Sequence, residues 1–500
     1  MVKIRIDVHY TYFKVSVDKL SAELNIVLDP IKKYLTDMSI TYLKNGRKSV
    51  TINSKIYHQN DEELYYIFPI TLLQSVCLAL KRHFNLNPED ITYHHTRKFE
   101  DFKFNIKDSY KLRDYQELYL DTIVNEKSPP YVLIDLKPGA GKTFISVNAV
   151  QRLGKKIAIV ILPKYIEKWK EDIALYTDIK EDRVYVVSGS ESIKNIMDNN
   201  LDYDIYIISI RTFFNYINTY ESEKNVVSPT KVFEKMGVGI LLSDESHQET
   251  SALTRIAMYS NVEKVIGLSA TYIGTTPQDT RIQNTLFPPE VRVSNLVKFD
   301  TYIDIVEVGY VINTKQHLKF QNKYGYSHIK YEQSISRFKG LKESYYNMII
   351  YYLSEYFLTV RKKEDKCVIF FATIDMCTDM RKYLKKISPR GLKVNRYVGE
   401  DSYEDLMSGD IIITTLKSAG TAVDIPNLTL VINTVIVGSP KLNIQATGRL
   451  RKLNNKTAHY LYFYNRHIGA QKRLTFARDK AIRHMAKSYL KKDHHEPLRM

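Results

Sequence analysis

The chain has 500 residues, 44% of them apolar, which at roughly 150 residues per domain is material for about three domains with cores of their own. A formal net charge of +17 and a pI near 9.3 favour a polyanionic partner, nucleic acid ahead of an anionic membrane surface. The three scattered cysteines, Cys77, Cys367 and Cys377, exclude a disulfide framework and a zinc site and fit a reducing cytoplasm, and no apolar run reaches the roughly 18 residues of a membrane span.

Val2, Ile4, Ile6, Val8 and Tyr10 alternate with polar residues, which predicts a half-buried strand rather than a signal peptide. Asn45-Gly46 predicts a turn between extended segments. Ile70, Leu73, Cys77 and Leu80 fall at helical spacing. Residues 1–105 therefore read as a small mixed α/β domain, followed by a charged linker from Arg97 to Lys111.

Beyond residue 110, short apolar runs alternate with helical patterns: 131–136, 157–162, 184–187, 205–208, 239–242 and 265–268. The rhythm resumes at 368–371, 411–415, 428–435 and 459–464. Near-continuous apolar strands between helices predict parallel sheets covered on both faces. Residues 106–300 and 301–470 read as two such lobes, joined through 277–300 and the polar stretch 316–331. From Gln471 to Lys492, with a tail to 500, the spacing of Leu474, Ala477, Ala481, Met485 and Tyr489 predicts a basic helix. That helix either docks with a solvated basic face or touches nucleic acid.

YVLIDLKPGAGKTFISV (131–147) is a buried-type strand, a glycine-bearing loop and a helix start. Gly139 and Gly141 let the backbone turn its N–H groups toward phosphate oxygens, and the new helix adds its positive end. Lys142 can reach the outer phosphates, and Thr143 offers a hydroxyl to Mg2+. Leu136 stands where the full phosphate-loop pattern has its first glycine. GVGILLSDESH (237–247) is an apolar strand ending in two carboxylates, the position where α/β sheets place ligands. Asp244 would hold Mg2+, and Glu245 would act as general base toward water. An acidic pair alone is common on surfaces; its place after the phosphate loop and at a strand end gives it meaning.

In order along the chain stand LRDYQ (112–116), LKPGAGKT (136–143), LPK (162–164), DESH (244–247), SAT (269–271), KSAGTAVDIP (417–426) and QATGR (445–449). The set resembles the motifs of the superfamily-two helicases, in which LPTGxGKT is a common form of the phosphate loop. The resemblance implies an α/β fold with two tandem RecA-like lobes on parallel sheets, here preceded by the small mixed domain. It implies ATP and Mg2+ as cofactors and nucleic acid as partner. Residue by residue, Gln116 would read adenine; Gly139, Gly141, Lys142 and Thr143 would hold phosphates and metal; and Asp244 and Glu245 would serve hydrolysis. His247, Ser269 and Thr271 would couple the lobes, and Gly420 and Asp424 would lie near the ribose. Gln445 and Arg449 would complete the ATP site, with Arg449 as an arginine finger.

The usual QxxGRxxR pattern places a second arginine where this chain has Lys452, with Arg451 one step earlier. In a helix one residue is about 100° of rotation, so the two side chains are not interchangeable. Either Arg451 reaches across or Lys452 serves as a point charge; planar bidentate recognition of phosphate favours Arg451. Candidate nucleic-acid contacts are Lys164, Arg211, Thr212 and Lys417, on loops after strands, each of which also reads as a solvated loop residue. Trp169 reads as a packing residue.

The N-terminal module and overall layout resemble phage recombination helicases of the UvsW type. That resemblance implies an N-terminal DNA-binding module and remodelling of branched or duplex DNA; a monomer and a cytoplasmic location, in the host if the chain is viral, are separate expectations. An RNA helicase or viral transcript-release factor is the alternative, since DESH is neither of the common spellings DEAD and DEAH. A non-catalytic nucleic-acid clamp is the other class, opposed by the presence of Lys142, Asp244 and Glu245.

Overall fold

The structure, a computed structural model, describes every residue except 1, 43–47, 138, 200, 271, 273, 275, 298–299, 314–317, 324, 400, 417, 419–424, 454–455 and 500. It forms two compact units, Met1–Val297 and Lys298–Met500.

The first unit opens with a mixed five-stranded sheet in the order His58–Asn60, Tyr65–Pro69, Tyr12–Val17, Ile4–Val8, Ile91–Tyr93. Ile4, Ile6 and Val8 are buried while Arg5 is exposed, as their alternation predicts. Helices Ala22–Tyr34 and Leu73–Phe84 cover it, the second burying Val76, Leu80 and Phe84. Strands Thr36–Tyr42 and Lys48–Lys55 pair antiparallel around the expected Asn45-Gly46 turn, which lies outside the described residues.

The next sheet has seven parallel strands in the order Val184–Val187, Ile205–Ser209, Ile157–Ile161, Ile240–Ser243, Lys264–Ser269, Tyr131–Asp135, Arg292–Ser294. Its central strands are buried along their whole length, which is why they read as unbroken apolar runs. Thr11, fully buried, ties the N-terminal sheet to this one. Its hydroxyl donates to Met258 O (3.0 Å) and accepts the Asn261 N–H (2.9 Å) at the end of helix Thr250–Ser260.

The second unit is built on another seven-stranded parallel sheet. Its order is Val394–Tyr397, Ile411–Thr415, Lys366–Phe371, Leu428–Asn433, Ala458–Asn465, Ile303–Tyr310, Ala486–Asp493. The two parallel sheets are the expected RecA-like pair, preceded by a mixed sheet.

The structure departs from the sequence expectations in two places described here. The basic helix ends early: Gly469–Ile482 is helical, but Ala486–Asp493 is a strand at the edge of the second sheet. Met485 and Tyr489 matched a helical period by coincidence; Tyr489 turns its hydroxyl to Glu307 Oε2 (2.7 Å) on the neighbouring strand. The charged stretch 97–111 is no loose linker. Phe102 and Phe104 are buried, and Asp101 and Ile106 bridge to Lys155 and Thr177.

Arg97 fixes that strap. Its guanidinium donates to Ser260 O (3.2 Å), Asn261 O (2.9 Å), Phe233 O (2.7 Å) and Val238 O (3.4 Å). Removing it takes away all four of these hydrogen bonds. Arg97→Ala is therefore expected to destabilise the first unit by about 2–4 kcal/mol, read as a lower urea midpoint. Arg97→Lys should recover only part of the loss, because an ammonium lacks the planar fork.

Candidate functional site

The strand Tyr131–Asp135 ends where the chain must leave the sheet and start the helix Lys142–Leu153. Gly139 (φ 77°) and Gly141 (φ 78°) take left-handed backbone there, a conformation that L side chains rarely adopt. Space enforces glycine at 141 as well: a Cβ would lie 2.3 Å from the Gln116 amide nitrogen. That amide is engaged at both ends. Its oxygen accepts the Arg113 N–H (2.9 Å) and its nitrogen donates to Ala140 O (3.1 Å), so Gln116 fastens helix Asp114–Val124 to the loop. Lys142 donates to Leu136 O at 3.1 Å. Thr143 follows in the first turn of the helix.

Asp244 and Glu245 follow the strand Ile240–Ser243. Burial holds the Asp244 carboxyl above the usual range, while the Lys142 ammonium, the Glu245 N–H and the Trp169 indole draw it down. The indole N–H donates to Asp244 Oδ2 at 3.1 Å, and the Glu245 N–H to Oδ1 at 2.8 Å. Trp169 is buried, as expected of a packing residue, but it also orients the carboxylate, a role nothing in its local sequence signals.

Glu245 has left-handed backbone (φ 52°), uncommon for a side chain of its size. Its Oε2 lies 3.2 Å from His247 Nε2, and His247 Nδ1 lies 2.8 Å from Ser269 Oγ. Ser269 O then accepts the Leu136 N–H at 3.0 Å. Three side-chain and backbone links thus join the ends of three strands. Ser246, a residue that sequence reasoning did not single out, locks the turn. Its hydroxyl is 2.6 Å from Ser243 Oγ and accepts the Leu268 N–H at 3.1 Å.

Lys164 and Arg211 are exposed on the same carboxyl-terminal edge of this sheet. Lys164 sits in the turn Pro163–Tyr165 and Arg211 in the first turn of helix Ile210–Ser222. Thr212 Oγ1 accepts the Gly189 N–H (3.0 Å) and so holds the neighbouring loop. Thr271, Lys417, Gly420 and Asp424 lie outside the described residues.

In the second unit, Gln445 lies on helix Pro440–Thr447, which stops at Gly448. Arg449 is buried. The expectation that helical rotation separates Arg451 from Lys452 is corrected, because residues 450–452 are not helical. The two side chains diverge all the same. Arg451 donates back to Gly448 O, whereas exposed Lys452 pairs with Asp300 at 2.9 Å.

No group of three or more His, Cys, Asp and Glu suited to a metal occurs among the described residues. The donor set instead fits a hard cation shared with phosphate: one half-buried carboxylate and one hydroxyl beside an anion-turned loop. Trp169, the chain's single tryptophan, is a built-in reporter of that carboxylate. Addition of a magnesium nucleoside triphosphate is expected to change its emission, and Asp244→Asn is expected to remove the response; an unchanged spectrum in the parent chain would contradict the site.

Residues 109–274 match the family described as type III restriction enzyme, res subunit, and residues 346–454 match the helicase conserved C-terminal domain. The XPB helicase/translocase subunit of general transcription and DNA repair factor IIH from Enterocytozoon bieneusi (strain H348) is 23% identical over 257 residues, 50% of this chain and 40% of that protein. The chain thus spans less than half the length of that relative. S. cerevisiae Dbp5 bound to RNA and ADP BeF3 has a TM-score of 0.50 at 13% identity, covering 77% of this chain and 90% of that one. The T4 UvsW crystal structure covers 98% of this chain and 99% of its own, with a TM-score of 0.36 and 14% identity. With both matched domains in this order, each on its own parallel sheet, the chain carries the domain pair of the superfamily-two helicases.

Proposed function

We propose that the chain hydrolyses ATP to translocate on and remodel branched or duplex DNA. The observation that carries the reading is the run of contacts from Glu245 through His247 and Ser269 to Leu136. It ties the residue that would face water to the strand that bears the phosphate loop.

Lys142 and the loop amides would bind the phosphates. Glu245 would orient a water and take its proton, with His247 holding the carboxylate in place. Asp244 and Thr143 would hold Mg2+, which supplies charge neutralisation at the phosphates when bound. Trp169 fixes the Asp244 oxygen it touches. Gln116, with Gly420 and Asp424, is assigned to the nucleoside, and His247, Ser269 and Thr271 to coupling. Gln445, Arg449 and Arg451 are assigned to catalysis, with Arg449 as the arginine finger.

A nucleic-acid partner is supported by the +17 net charge, and DNA by the DNA-repair role in the name of the XPB relative. The exposed cations Lys164 and Arg211, with Thr212 and Lys417, are the proposed backbone contacts. Branch migration, fork regression and R-loop removal of the UvsW type, in phage replication and recombination, belong to the same proposal, with the N-terminal sheet as a DNA-binding module.

ATP hydrolysis should be stimulated by forked DNA more than by single-stranded RNA; stimulation by RNA alone would overturn the DNA assignment. Lys142→Ala should abolish phosphate release. Glu245→Gln should retain bound ATP without turnover, and turnover at the parental rate would remove Glu245 as the base. Because Lys452 is diverted to Asp300, Arg451→Ala should cost more ATPase activity than Lys452→Ala. The opposite order would reassign the second cation.

A further inference from the structure

The helix Gly469–Ile482 presents an unusual face. Phe476 is 74% exposed, the largest value of any exposed large hydrophobic among the described residues. A lone exposed apolar residue is ordinary. Its surroundings are not. Lys472, Arg473, Lys480 and Arg483 are exposed as well. At about 100° per residue, Lys472, Arg473, Phe476 and Lys480 fall within roughly 100° of the helix circumference, with the ring near the middle of the arc; Arg483 follows the last helical residue, its guanidinium 5.4 Å from the Tyr489 ring.

Packing sorts the helix's other charges away from that face. Its single acid, Asp479, is drawn to the tyrosine hydroxyls beside it: Tyr489 Oη lies 2.5 Å from Asp479 Oδ1, and Tyr462 Oη also meets that oxygen. Arg478 is fully buried, its Nε donating to Asn443 Oδ1 at 2.9 Å. Among the described residues none of the four exposed cations forms an ion pair. Lys472 to Lys480 spans about 12 Å at 1.5 Å per residue, the reach of three or four phosphates on one strand.

We propose that this face binds a single-stranded segment of nucleic acid, with one unstacked base on the Phe476 ring and the backbone phosphates on Lys472, Arg473, Lys480 and Arg483. A positively charged track with an interleaved aromatic is the chemistry that grips a strand without reading its sequence. Charge complementarity selects a polyanion, and the isolated ring selects one that offers a flat apolar face at intervals. The inference rests on the reading of the chain as a nucleic-acid motor and adds a contact surface on the second unit.

The test uses the full chain and a fluorescein-labelled oligonucleotide, intact and with abasic positions. Phe476→Ala should weaken binding of the intact strand roughly 5- to 100-fold, the usual range for one stacked base, and leave abasic binding nearly unchanged. Phe476→Trp should restore it. Arg473→Gln and Lys480→Gln should each weaken both oligonucleotides and flatten the salt dependence of log Kd by about 0.7. Equal losses on intact and abasic strands would overturn the stacking role, and no loss on either would overturn the surface. A dimer that dissociates in Phe476→Ala, or anionic vesicles whose binding alone depends on Phe476, would assign the face to another partner. Nucleic-acid-stimulated ATPase in the parent chain keeps the two proposals separable. Its absence defeats the motor reading, whereas its presence with an indifferent Phe476→Ala defeats only this one.

Discussion

A backbone that turns its amides toward an anion must be held in that turn from outside, because its own hydrogen-bonding groups are committed to the ligand. In this chain the restraint comes from Gln116. One amide group spans helix Asp114–Val124 and Ala140, and it sits where a side chain at position 141 would have to be. The left-handed φ values of Gly139 and Gly141 and the contact with Gln116 are therefore one constraint. Leu136 is held from the other side by Ser269. Through Ser269 and His247 the restraint reaches Glu245, whose strained backbone aims its carboxylate at the imidazole. A shift at the loop cannot leave the carboxylate where it was.

The same coupling explains how Asp244, half-buried, is held. A carboxylate removed from water is costly unless its oxygens are satisfied. Here one oxygen takes an indole N–H, the other a backbone N–H, and Lys142 brings a compensating charge. The geometry keeps the anion oriented rather than loosely solvated, which is what a cation needs from a ligand supplied by a single strand end.

The central strands were legible in the sequence because burial on both faces leaves no room for polar alternation, as in Ile157–Ile161 and Ile411–Thr415. The strands that escaped notice lie toward sheet edges or carry charge inward. Ile303–Tyr310 includes Asp304 and Glu307, and Glu307 is buried against the Tyr462 and Tyr489 hydroxyls, so a core strand reads as mixed. Ala486–Asp493, an edge strand rich in lysine, carries the solubilising charges that protect an open edge and that also resemble a basic helix. At the site, residue types acting within one motif were readable. Trp169 and Ser246 were not, because each acts on a residue that only the folded sheet brings near.

Net charge is a property of the whole sequence, but what a partner meets is decided by packing. In helix Gly469–Ile482 the residues Arg478 and Asp479 are adjacent and opposite in sign, and on paper they cancel. In the fold Arg478 is buried against Asn443 and the carbonyl of Val435, while half-buried Asp479 is drawn to two phenols. Tyr462 joins the two, since the Arg478 guanidinium stacks at 4.7 Å from its ring while its hydroxyl meets Asp479. The outward face then keeps only cations and one aromatic ring. The second unit thus converts a modest local surplus of basic residues into a surface of a single sign, and it does so with the buried polar contacts that seat the helix on its sheet.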